Sequence, residues 1–225
     1  MADTLTFMSL SPAQCGAVYF PVRKNAETHL RVADILVNNK EYSNGIAHLI
    51  LGTEEFIKAT VLLLECKGFS LRTMKKYSKL FYNHTARHTI IKDFFSFWMV
   101  ARNLFMIEER KPKENKVAYW VNLLKNLTGT VLDSLDNHDW WKTADTRKQN
   151  CFYADYENGL LLPKSFELSD YQEAKKHVDR FIYDIRIVLA VLLKANEQQL
   201  ERFRQTFWDT DFPEMLSDTI NQKSS

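Results

Sequence analysis

The segment "NHTARH", residues 83–88, sets His84 three residues before Arg87 and four before His88. On a helix, each of these pairs shares a face. Asn83 is suited to cap that helix, so the three side chains stand in its first turns, at the positive end of its dipole. An imidazole, a guanidinium and unbonded backbone N–H groups gathered there attract an anion such as a phosphate. Two histidines four apart are also two metal ligands. No HExxH is present and no cysteine is near in sequence, so no metal is expected.

A second candidate is "GTEEFIKATVLLLE", residues 52–65. Ile46, Leu49, Ile50, Ile57, Val61 and Leu64 form one apolar face of a helix, and Leu51, Ala59, Leu62 and Leu63 make the opposite side apolar as well. A helix that is apolar all round is buried. Glu54 and Glu55 precede Lys58 by four and three residues, so either can meet it on the helix surface. The expectation is that Glu54 lies on a solvent strip and pairs with Lys58. Glu55, among Leu51, Ala59 and Leu62, carries a functional or specificity role. A third, weaker signal is the basic and aromatic run "KTADTRKQNCFYADY", residues 142–156, which contains Arg147.

The elements that must hold these residues read as helices. Only 6 Gly and 5 Pro punctuate 225 residues, which favours long helices over many strands. Helical periodicity is expected from Pro21 to about Asn39, then from Ser43 to Lys67 with Gly68 ending the helix. A short helix follows from Ser70 to Tyr82, a long apolar one from His84 to Arg110, and a fifth from Glu114 to Leu135. The stretch around Arg147 is less regular, and "CFYADYENGLLLP" reads as extended about a turn. A last long helix, from Asp170 to Trp208, carries Tyr171, Ala174, Val178, Phe181, Ile185, Val188 and Leu192 as a packing seam for a bundle or a partner helix.

The net charge of +2 gives no field that announces a nucleic acid or a membrane, although a local basic groove for RNA fits within a balanced total. Three dispersed cysteines without a CxxC read as reduced thiols, and no signal peptide or spanning segment is evident, so a cytoplasmic chain is expected. The expectation is one all-α domain over residues 1–225 with a polar tail at 209–225. No cofactor is expected.

Taken in order, the Glu54-Glu55-x-x-Lys58 helix, His84 with Arg87, and Arg147 before "FYADYENG" and Pro163 resemble the AbiV family of abortive-infection proteins, within the HEPN superfamily. The resemblance covers about residues 20–195. It implies a HEPN-like helical bundle with a small extended insertion before the last long helix, commonly dimeric and acting in phage defence. HEPN relatives often cleave RNA without metal, using an Arg, four to six residues, then a His. The literal spacing here is Arg23 to His29, near the N-terminus and not on a late helix, so it is set aside as chance.

Under the resemblance, His84 is the general acid/base and Arg87 binds the scissile phosphate. Lys58 lends electrostatic support, Glu55 orients Lys58 or His84, and His88 and Arg147 complete the polar cluster. The expected partners are a second copy, an RNA or ribosomal target and a phage-encoded trigger. The alternative is a non-enzymatic protein that binds the translation machinery or a phage protein.

Overall fold

The computed structural model describes residues 6–73, 81, 139–156, 160–161, 163 and 165–209. Helix α1 spans Pro12–Asn38 and α2 spans Tyr42–Cys66, with a single 3-10 turn at Leu71–Thr73. Helix α3 covers residues 139–152. Strands β1 (Asp155–Tyr156) and β2 (Leu160–Leu161) pair antiparallel, Asp155 opposite Leu161. Helices α4 (Leu168–Lys194) and α5 (Glu197–Asp209) follow. The fold is all-α, and the short strand pair is the extended insertion expected before the last long helix.

Three expectations change. Helix α1 starts at Pro12, not Pro21, because Ser11 and Gln14 form a reciprocal capping box: the Gln14 N–H donates to Ser11 Oγ at 3.3 Å and the Ser11 N–H to Gln14 Oε1 at 2.8 Å. Pro21 lies inside the helix. The stretch around Arg147 is helical and not irregular. The last helix is two helices. Asn196 and Gln199 exchange backbone N–H bonds at 2.9 and 3.0 Å, restarting the chain as α5 after Lys194. The expected helices from His84 to Arg110 and from Glu114 to Leu135, and the Ser70–Tyr82 helix beyond its first turn, lie outside the described residues.

Helix α2 is the core element. Ile46, Leu49, Ile50, Phe56, Ala59, Val61 and Leu62 are buried on all its sides, as an all-round apolar pattern requires. It packs antiparallel against α1 through small residues. A methyl on Gly52 would stand 3.2 Å from the Ala26 carbonyl oxygen and 2.9 Å from Leu30, and one on Gly45 would meet the Ala33 carbonyl at 3.5 Å. Glycine at position 52 therefore lets the two backbones approach, whereas at Gly45 the tight neighbour is the Tyr171 ring of α4 at 3.1 Å. Helix α2 ends as expected at Gly68, whose φ of +80° suits a residue without a side chain. The Gly68 N–H donates to the Glu65 carbonyl, and Arg204 of α5 donates to the Lys67 carbonyl at 2.8 Å.

Helix α4 packs on α2. Its Tyr171, Ala174, Val178, Phe181, Ile185 and Leu192 are all buried. The seam expected for a bundle or a partner helix is therefore closed within this one chain. The N-terminal segment is tied down by Arg72, which donates to the carbonyls of Phe7 and Met8 at 2.8 and 3.2 Å and pairs with Glu65 at 2.9 Å.

Candidate functional site

Glu54 is fully buried, with no solvent exposure. Its partner is not Lys58. Lys148, reaching in from α3, donates to Glu54 Oε1 at 2.6 Å and is itself 96% removed from solvent. Asp145, one turn earlier on α3, lies 3.2 Å from the same ammonium and is partly open to solvent. The expectation of an exposed Glu54–Lys58 pair is thus overturned. On a helix buried all round, position 54 faces a neighbouring helix, and a carboxylate there requires a cation delivered from that neighbour.

Lys58 instead pairs with Glu55 three residues earlier, at the edge of the buried region. The two glutamates have separate partners: one is joined to another helix, the other to its own. In the sequence Lys148 is only one cation of the basic and aromatic run 142–156, with nothing local to mark its partner.

Two further residues were not chosen from the sequence. His29 of α1 and His48 of α2 are half-buried, and their Nδ1 atoms lie 3.1 Å apart, so one ring donates and the other accepts. The pair sits in the α1–α2 seam between Gly45 and Gly52. The rings are tilted at 42°, and His48 meets the edge of Phe152 at the end of α3.

Burial holds His29 below its ordinary range; Glu55 opposes this, Lys58 adds to it, and Glu54 opposes it again. Burial also lowers His48, with His29 as a second cause. Next to His48, the Cys151 thiol is pushed up to about 12 by burial, against a hydrogen bond with the Ala47 backbone and the nearby Arg147 charge. None of the three cysteines is bridged.

The signal for His29 and His48 was in the sequence: each is a lone imidazole in an otherwise ordinary packing helix. Arg23, which precedes His29 at the literal superfamily spacing, does not serve it. Its guanidinium is held by Tyr19 at 3.2 Å and Glu27 at 3.1 Å.

Arg147 bridges helices elsewhere on α3. Its Nε donates to Thr143 at 3.1 Å, its guanidinium lies 3.8 Å from Glu173 of α4, and its plane covers the Trp140 ring at 5.7 Å. His177 of α4 stacks on that ring at 5.2 Å. His84, Arg87 and His88 lie outside the described residues. Among the described residues, no group of three or more acidic, histidine or cysteine side chains could hold a metal, and no helix is long and apolar enough to cross a membrane.

The arrangement joins α2 to α3 by an ion pair and α1 to α2 by a histidine–histidine hydrogen bond. Glu54 and Lys148 neutralise one another out of water, where a single unpaired member would be costly. His29 and His48 share a hydrogen across the adjoining seam. Such a junction fixes which helix lies against which.

The HEPN_AbiV family model, described as AbiV, matches residues 17–206. No curated protein and no solved structure matches the chain.

Proposed function

Because the chain belongs to the AbiV family, which suggests a role in abortive infection and phage defence, we propose that it is an effector that arrests growth or protein synthesis in the infected cell, with metal-independent RNA cleavage as its mechanism. The family match over residues 17–206 carries this reading. His84 acts as general acid/base, since imidazole titrates near neutral pH. Arg87 binds the scissile phosphate in bidentate fashion and stabilises the charge it gains.

Glu54 takes no part in the reaction in this scheme. Its carboxylate is sealed against Lys148, and its work is to seat α3 on α2. Glu55 and Lys58, at the edge of the buried region, remain the groups able to support the site electrostatically. The protein acts in the cytoplasm as a homodimer, under the control of a phage-encoded trigger.

One observation favours the non-enzymatic alternative, a protein that binds the translation machinery or a phage protein: both acidic members of the Glu-Glu-x-x-Lys motif are already paired within the chain. Incubating purified protein with total RNA or tRNA in chelator separates the two. Cleavage that disappears with His84→Ala supports the nuclease. Phage resistance without cleavage by wild-type protein refutes it and leaves the binder.

A further inference from the structure

The geometry points to the His29–His48 pair as a proton-sensitive latch on the α1–α2 seam, closed when at least one imidazole is neutral and opened when both are charged. The contact joins two Nδ1 atoms at 3.1 Å. In the closed form one ring is the Nδ1–H tautomer and donates, while the other offers an Nδ1 lone pair and carries its hydrogen on Nε2. The first proton can bind Nε2 of the donor ring. The resulting imidazolium still donates through Nδ1, and the contact survives with a stronger, charge-assisted bond. The second proton has only the acceptor Nδ1 to bind. Two N–H groups and two positive rings would then face one another, and the contact cannot persist.

The position of the pair turns this local event into one felt by two helices. His48 lies three residues after Gly45 and four before Gly52, on the face of α2 that meets α1. At Gly52 a methyl would press on Leu30 at 2.9 Å and on the Ala26 carbonyl at 3.2 Å, while at Gly45 it would stand in ordinary contact with the Ala33 carbonyl at 3.5 Å. Separation of the rings therefore works against the close approach one turn away at Gly52.

The charged groups that act on the pair come mainly from α2. Glu55 and Glu54 favour the charged form of His29, and Lys58 disfavours it. Both glutamates are engaged, Glu55 by Lys58 and Glu54 by Lys148 of α3. On α1, Arg23 and Glu27 pair with each other. Helix α3 presents to His48 the neutral ring of Phe152. The surroundings therefore offer no unengaged carboxylate, among the groups that act on His29, to compensate a doubly charged pair.

The sign follows from linkage. Burial holds both folded rings below the ordinary histidine range, so the unfolded chain takes up protons first as the pH falls. Stability contributed by the pair is present above the ordinary value and is lost as the pH falls from it toward the folded values. The inference does not depend on the effector reading, and its test needs neither phage nor RNA.

Protein labelled with 15N at histidine, titrated from about pH 8 to about pH 5, tests the latch by NMR within the range where imidazole changes charge. His29→Gln and His48→Gln assign the two rings. The expected result is one Nδ1–H and one Nε2–H tautomer, with the pair taking up protons in two separated steps. In hydrogen exchange on the wild-type chain, amides flanking both histidines should lose protection on acidification beyond the chemical pH effect, while those of α4 keep it. Two independent rings of the common tautomer, or α1 and α2 amides as well protected as α4 throughout, would overturn the proposal. The exchange measurement needs no variant, so it decides the matter even if a substitution unfolds the protein.

Discussion

Lys148→Met leaves the Glu54 carboxylate buried against α3 with its cation removed. Glu54 has no solvent exposure and the two atoms are 2.6 Å apart, so water does not replace the lost partner. Halving a buried pair in this way costs about 3–5 kcal/mol. At about 2–4 °C per kcal/mol for a chain of this size, the melting midpoint should fall by about 6–20 °C. Replacing both members, as Glu54→Leu with Lys148→Met, should restore most of the loss, because an apolar pair of similar volume removes the desolvation penalty together with the attraction. Asp145 keeps part of the loss in the double variant, since its Oδ1, 3.2 Å from the Lys148 ammonium, is buried.

Lys58→Met is the comparison. Its partner Glu55 stays partly in contact with water, so the loss should be about 1–2 kcal/mol, less than half that at Lys148. Acidification should also recover part of the Lys148→Met loss, because a neutral buried carboxyl is cheaper than a charged one. Melting curves of the wild type and the three variants, at two pH values, decide it. A drop of less than about 2 °C for Lys148→Met, or a double variant that melts no higher than Lys148→Met alone, would refute the buried-pair argument.

Gly52→Ala should destabilise by about 1–3 kcal/mol despite alanine's better helix propensity, since its methyl meets backbone at 3.2 Å and Leu30 at 2.9 Å; urea midpoints measure it. Asn196→Ala should cost about 1 kcal/mol and loosen α5 first, visible as faster hydrogen exchange in residues 197–203 with α4 unchanged. His84→Ala and Arg87→Ala should each abolish phage resistance in plaque assays while costing less than about 1 kcal/mol of stability, and His88→Ala should matter less. Light scattering at micromolar concentration should report twice the 26.4 kDa chain mass if the effector is a dimer.

How far the sequence could be read depended on whether an element's signal was local. Helix α2 was legible because its apolar residues, its glycine stop and its charges are all within one stretch. Helix α3 was not. Its buried positions are Trp140, Trp141, Ala144, Lys148 and Cys151, a regular helical stripe once Lys148 counts as interior. A lysine in the middle of that stripe interrupts the apolar pattern and makes the segment look irregular.

The same residue hid the partner of Glu54, since nothing local links positions 94 apart. The start of α1 was misplaced because Pro21 resembles a first-turn proline, while the reciprocal Ser11–Gln14 bonds that set the true start were overlooked. The α4 seam was read correctly as apolar, but its partner, α2, is a matter of tertiary arrangement. Of the candidate site, the spacing lets either glutamate meet Lys58, and only the folded chain selects Glu55. Glu54 was assigned to the wrong cation, and the histidine pair needed two helices to be laid side by side.

The 94-residue separation between Glu54 and Lys148 has a consequence for synthesis. The α1–α2 hairpin is complete on the ribosome long before its counterion exists. At about 5–20 residues per second, roughly 5–20 s pass between translation of the two positions. Throughout that interval a closed hairpin would hold the Glu54 carboxylate on the face that α3 later covers, without the Lys148 ammonium. Any message truncated before codon 148 therefore yields a product whose central helix lacks the ammonium that Lys148 brings to Glu54.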